Sequence, residues 1–315
     1  MGVFPYSTDL PFGLGGAELA AINAENNLIH GLDNVKSATW FFIPSPDSPR
    51  GLSSHDINVV WAHLPYFYLN NEPVYRGLFA DPNCHRLVTK YIVQSEWHKK
   101  DFVTNFKIDE RKIFVIPNTC DTSLFVPGNK NLDRPKILFS SHPRRGLSIL
   151  NEALHYMEET EFDVDVYMVN AHEFKWFEVH PKITLKERVH QQEYATIVSN
   201  ADILAYPCIN GETFCMTAVE ALACGLRVVT TDSGALPDVV GKYGHIVEQP
   251  EVDQYNHELA KRFAKALDKE IRDYRSGKFN PTKQIKYVKK TYSNEANRKY
   301  WVKLNKKLGK QNPPA

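Results

Sequence analysis

The 315-residue chain lacks any run approaching eighteen apolar residues, which excludes a membrane-spanning helix. It has no basic stretch leading into an apolar one near its start, so no signal peptide is expected. Cysteine is sparse and odd in number: Cys84, Cys120, Cys208, Cys215 and Cys224, with no CxxC pair. That pattern argues against a zinc site or a disulfide framework and for reduced thiols in a cytosol-like compartment. There is no internal repeat and no low-complexity tract. An excess of one charge is also missing, since 38 Lys or Arg face 37 Asp or Glu. No general nucleic-acid affinity is therefore expected.

The near-neutral total hides an asymmetry. Lys278 to Lys310 holds eleven cations and one acid, Glu295, a charge of +10 on a body that sums to −9. Hydrophobic residues at 43% and charged residues at 24% are ordinary for a globular chain.

Short apolar runs alternate with helical stretches. The predicted strands are Thr39–Ile43, Ile57–Trp61, Tyr91–Val93, Ile113–Ile116, Lys136–Ser140, Val164–Val169, Lys182–Leu185, Ile203–Tyr206, Leu226–Thr230 and His245–Val247. Most are apolar throughout rather than alternating, as parallel strands buried on both faces are. Predicted helices include Gly16–His30, Glu96–Asn105, Leu147–Glu159 and Thr213–Cys224. The alternation predicts an α/β chain of two doubly wound, Rossmann-like domains facing a cleft. Val126–Pro135, rich in Pro, Gly and Asn, reads as the linker. The predicted domains are 1–127, 136–290 and a basic C-terminal helix and tail over 291–315.

The most informative segment is YPCINGETFCMTAVEALACGLRVVTTDSGALPDVVG, Tyr206 to Gly241. A strand ends at Tyr206, a Pro/Asn/Gly turn follows, and Glu212 precedes a helix that Gly225 stops. Glu220 comes eight positions after Glu212. A fully helical stretch would set the two carboxylates about 12 Å apart. Free amides at Thr213, Phe214, Cys215 and Met216 would form a helix N-terminus that suits a phosphate or a sugar oxygen.

Glu212-x7-Glu220 within ETFCMTAVEALACG, with GALPDVVG after it, resembles the signature of retaining glycosyltransferases of the GT-B fold, the family 4 group. The resemblance implies a donor-sugar contact for Glu212 and a ribose contact for Glu220. Tyr91 to Gly128 resembles the family's stretch closing the first domain, although Asn118 is followed by Thr119 rather than Gly. ILFSSHPRRGLSIL, Ile137 to Leu150, resembles the strand and loop opening the second domain. There the resemblance gives Arg145 the donor diphosphate, with Arg144 in place of an earlier basic residue. FGLGGAEL resembles the family's Gly-Gly-x-Glu turn, which brings the Gly15 and Gly16 backbone to the phosphates. Its lack of a third glycine departs from the dinucleotide fingerprint.

His63, after the strand in VVWAHLPY, matches a histidine beside the reacting sugar. Val189, His190 and Tyr194 fall where the family holds the base, without choosing GDP from UDP. Asp163-x-Asp165 has the form of a metal-binding pair, but it opens a strand instead of following one. It is read as a solvated strand edge, and no metal or other cofactor is expected.

The resemblance implies a retaining, metal-independent transferase moving a sugar from a nucleotide sugar to a glycan or lipid-linked acceptor. An NAD oxidoreductase, a non-catalytic nucleotide-sugar-binding module and a GT-B epimerase or phosphorylase are its rivals. The last helix is expected to cross back to the first domain through Tyr300, Trp301 and Leu304. Lys286, Lys289, Lys290, Arg298, Lys299, Lys303, Lys306, Lys307 and Lys310 would leave a basic face for peripheral docking on an anionic membrane surface.

Overall fold

The computed structural model describes residues 16–29, 31–43, 52, 57–71, 79, 81–130, 132–168, 178–250 and 257–310. It divides into two compact units. The first takes its described residues from 16–119 and returns for 292–310, and the second takes them from 120–291.

The first unit holds a parallel sheet of four described strands in the order β1-β2-β3-β4. These are Thr39–Ile43, Asn58–Ala62, Val88–Val93 and Ile113–Val115. Side chains alternate across a strand, and here both faces are covered. Val59, Trp61 and Ile92 pack with Ala20, Ala21, Leu28, Trp301, Leu304 and Leu308. Val60, Ala62, Tyr91 and Val93 pack on the other side with Leu69, Phe79 and Phe102. This explains why the strands read as unbroken apolar runs.

The C-terminal helix Asn294–Leu308 belongs to this unit. Ser293 caps it by accepting from the Ala296 amide at 3.2 Å. Trp301 meets Trp61 edge-on at 5.3 Å and lies 6.1 Å from Trp40. Burying a side chain of that size contributes about 2–3 kcal/mol.

The second unit is a six-stranded parallel sheet in the order β10-β9-β8-β5-β6-β7. Its strands are β5 Lys136–Ser140, β6 Asp163–Met168, β7 Ile183–Glu187, β8 Ile203–Tyr206, β9 Arg227–Thr231 and β10 Gly244–Val247. The chain builds outward from β5 to β7, returns to the other side of β5 and builds outward again. The order therefore reverses between β5 and β8, the place where ligands bind at the carboxyl ends of such sheets. The fold is α/β with two parallel sheets.

Three local expectations are corrected. The helix expected over Thr213–Cys224 spans Met216–Ala223, because Cys215 takes a left-handed φ of 77° and no helix passes through such a residue. The helical spacing assumed for Glu212 and Glu220 therefore does not apply. The helix expected over Leu147–Glu159 ends at Ala153. The unit boundary falls between Thr119 and Cys120, upstream of the Pro/Gly-rich stretch. That stretch is tied to the second unit: the Gly128 amide donates to the Ser199 carbonyl at 3.1 Å, and the Ser199 hydroxyl donates to the Val126 carbonyl at 2.7 Å.

Candidate active site at the switch point of the second sheet

Three strand ends converge at the reversal point, those of β5, β8 and β9. After β5, the turn Pro143–Arg145 opens with His142, which accepts from the Arg144 amide at 3.2 Å. Gly146 follows at φ 105°, and a Cβ there would lie 2.1 Å from the Pro207 carbonyl oxygen. Only glycine lets this turn approach the loop after β8 so closely. The Asn210 side chain spans the two loops by donating to the Arg144 carbonyl at 2.6 Å.

That geometry brings Arg145 onto Glu212. The Arg145 Nη1 lies 2.6 Å from Glu212 Oε2. The Tyr206 hydroxyl, at the last position of β8, donates to the same oxygen at 2.7 Å. The other oxygen, Oε1, takes the Thr213 amide at 3.2 Å. Burial opposes the charge on Arg145, and Glu212, Tyr206 and Cys208 around it together more than restore it. The Glu212 backbone is clamped as well. Its carbonyl accepts from the Ala235 amide at 2.7 Å, and a Cβ on Gly234 would sit 2.2 Å from the Glu212 carbonyl oxygen.

Glu220 sits inside the helix Met216–Ala223 and is only 4% exposed. Among the described residues no donor is paired with its carboxyl, and burial pushes its pKa up to about 8. Burial thus favours its neutral form, which can both donate and accept a hydrogen bond. Its neighbours are Tyr194 and the thiols of Cys120 and Cys224, whose ionisation its charge would oppose. Tyr194 packs edge-on against Phe125 at 6.1 Å, beside the hydroxyls of Ser140 and Thr217.

Apart from Gly15 and Gly16, the remaining residues assigned to the donor also lie in the second unit. Thr213, Phe214 and Cys215 are buried, Met216 opens the helix, and the Arg144 side chain is exposed. Val189 and exposed His190 precede the helix Gln191–Ser199, with His190 at its N-cap position.

In the first unit, His63 is buried just past the end of β2, its ring 4.9 Å from Trp61. His98 pins the loop that follows it: its Nε2 donates to the Leu64 carbonyl at 3.0 Å. Burial pushes the His98 pKa down to about 3, so the ring is neutral there. Gly16 opens the helix Gly16–Asn23, and Gly15 lies outside the described residues.

Asp163 and Asp165 stand at the start of β6, at the opposite end of the sheet from Glu212. The solvated edge expected of the pair is corrected for Asp165, which is buried against Lys186 at 3.0 Å and Lys136 at 3.5 Å. Asp163 pairs with Arg134 at 2.8 Å. Both carboxylates are thus committed to cations.

Tyr206 is the residue that sequence reasoning missed. A tyrosine closing an apolar strand reads as core, and the one signal that could have found it is its place at the strand's carboxyl end.

Residues 134–268 match the family model for glycosyl transferases group 1. An MMP alpha-(1->4)-mannosyltransferase of Mycolicibacterium hassiacum is 28% identical over 182 residues, 54% of this chain and 44% of that protein. A polypeptide of the human phosphatidylinositol N-acetylglucosaminyltransferase is 23% identical over 205 residues, 62% of this chain and 40% of that one. The chain spans about half the length of the curated relatives it matches. Among solved structures, HepE of Anabaena in complex with UDP and glucose superposes with a TM-score of 0.68 at 13% identity, covering 96% of this chain and 85% of HepE. A glycosyltransferase of Rickettsia africae gives 0.62 at 17% identity over 98% and 84%. The segment similar to the glycosyl transferases group 1 family holds Arg145, Tyr206, Glu212 and Glu220, and the solved neighbours give the chain a fold of the GT-B type.

Proposed function

We propose that the chain is a retaining glycosyltransferase that moves a sugar from a GDP- or UDP-sugar to a glycan or lipid-linked hydroxyl. The observation that carries this reading is the Arg145–Glu212–Tyr206 cluster at the β5/β8 reversal, with the buried acid Glu220 on the next helix. Arg145 supplies a planar cation for the diphosphate, offsetting the charge that grows on the leaving group. Glu212 accepts from the sugar hydroxyls, and Glu220 holds the ribose diol. Gly15, Gly16 and His63 are assigned to the phosphates and the sugar on the family resemblance alone. A departing phosphate oxygen takes the acceptor's proton, so the reaction needs neither a dedicated protein base nor a metal. The relatives named for mannosyl and N-acetylglucosaminyl transfer, and the UDP complex of HepE, support a nucleoside-diphosphate donor.

The test is a panel of nucleotide sugars with glycan and lipid-linked acceptors, product stereochemistry being read by NMR with and without EDTA. The expected product keeps the donor's anomeric configuration and forms in EDTA. Glu212→Gln is expected to lower kcat by about 100-fold or more while nucleoside-diphosphate binding survives. Inversion, or full activity in that variant, overturns the reading.

The acceptor side of the proposal rests on the last helix. Lys299, Lys303, Lys306, Lys307 and Lys310 are exposed and follow i, i+4, i+7, i+8 and i+11 spacing. They form a stripe opposite buried Trp301, Leu304 and Leu308. None has an acidic partner among the described residues. Such a stripe docks on an anionic leaflet at about 1 kcal/mol per lysine. Sedimentation with phosphatidylserine vesicles at low salt, lost with neutral vesicles or high salt, is the expected result. Equal sedimentation with both vesicle types would count against docking.

A further inference from the structure

Glu212 is held unevenly. Its Oε2 accepts from both Arg145 and Tyr206, at 2.6 and 2.7 Å, while among the described residues Oε1 takes only the neighbouring Thr213 amide. The inference rests on the transferase reading above, in which Arg145 must turn to the incoming diphosphate. When it does, Oε2 keeps one fixed donor. We propose that Tyr206 is a positioning residue: its hydroxyl holds Glu212 Oε2 while donor is bound, leaving Oε1 aimed at the sugar.

The phenol is built for that task. Tyr206 is buried, its carbonyl accepts from the Thr230 hydroxyl at 2.7 Å, and its ring stacks on Phe139 at 6.4 Å. It therefore has little freedom to follow Arg145. Burial, and then Glu212, raise the phenol's pKa well above its ordinary value, so it stays a donor at every working pH. A carboxylate anchored through one oxygen presents the other in a single direction. A carboxylate that has lost that anchor can rotate, and the sugar then meets a range of orientations. Positioning of this kind is worth more in the transition state than in the ground state.

The experiment compares Tyr206→Phe with Tyr274→Phe. Tyr274 is a second buried tyrosine of this unit whose hydroxyl donates to a carboxylate, that of Asp202, and it is not part of the site. Three quantities are measured for each: Tm, the Kd values of nucleoside diphosphate and nucleotide sugar, and kcat and KM for transfer. Tyr206→Phe is expected to leave the nucleoside-diphosphate Kd unchanged. It should remove most of the extra affinity the sugar adds, raise donor KM accordingly, and lower kcat about tenfold. Tenfold corresponds to about 1.4 kcal/mol in the barrier. Tyr274→Phe is expected to lower Tm and leave the kinetic and binding values alone.

A Tyr206→Phe protein that keeps the sugar's share of affinity and wild-type kcat overturns the inference while leaving the transferase reading in place. So does one whose losses track Tm as those of Tyr274→Phe do. If the wild-type protein binds no nucleotide sugar at all, the transferase reading fails and this inference fails with it.

Discussion

Two glutamates of the second unit are buried almost equally, Glu220 at 4% and Glu270 at 6% exposed, yet they titrate in opposite directions. Glu220 lies between β8 and β9, near the switch point, and burial alone pushes it up to about 8. Glu270 projects from the helix His257–Arg275 toward the other end of the sheet, where β9 and β10 begin. Burial would raise it too, but His245 at 2.9 Å and the Arg227 guanidinium hold it down at about 2. Arg227 in turn rests on the Phe279 ring at 4.6 Å. The same side chain at the same depth is thus a finished structural contact at one end and an unfinished one at the other. An unfinished buried contact persists where a ligand completes it.

The sharpest test of this contrast is removal. Glu270→Ala leaves a largely buried guanidinium without its main partner and is expected to cost about 3–5 kcal/mol in urea unfolding. Nucleotide binding by the folded fraction should be unchanged. Glu270 stabilises the fold fully above its unfolded value near 4.5, and that contribution is lost as pH falls through about 2.

Glu220 works in the other direction. Its folded pKa is raised, so the unfolded chain gives up its proton first. Wild-type stability is expected to fall as pH rises from about 4.5 to about 8 and to level off above that. Glu220→Gln should flatten that slope, gaining on the order of 2–4 kcal/mol over wild type near pH 8, and should weaken nucleoside binding. Thermal melts across pH 5 to 9 distinguish this from a paired carboxylate, for which the slope would reverse. The smallest effect concerns Glu212, which has partners but shares them. Arg145→Ala is expected to weaken nucleoside-diphosphate binding by about 1.5–3 kcal/mol and to leave the nucleoside almost untouched. Equal losses in calorimetry would count against a phosphate role.

The sheets were largely legible in the sequence, because strands buried on both faces leave apolar runs that no surface helix produces. Glu212, Glu220 and Arg145 were legible too, since their chemistry and spacing survive in a linear string. What the string concealed was conformation and depth. Nothing in a cysteine announces the left-handed turn at Cys215 that delays the helix. Nothing in Asp165 announces the two lysines that bury it. Val126–Pro135 has the composition of a linker, yet hydrogen bonds to Ser199 anchor its start to the second unit.

The return of the chain to the first unit at Tyr292 has a consequence for synthesis. In its described residues the second unit is continuous, and these can close once Thr291 has left the ribosome. The first is made first but cannot close, because Trp301, Leu304 and Leu308 are the last of its core to appear. Until then the apolar face of β2 and β3 has only the residues around Ala20, Ala21 and Leu28 to cover it. At about 5–20 residues per second the wait is on the order of ten seconds or longer. Of the two units, the one translated first is therefore expected to complete its core last, with Trp61 and Ile92 incompletely covered in that interval.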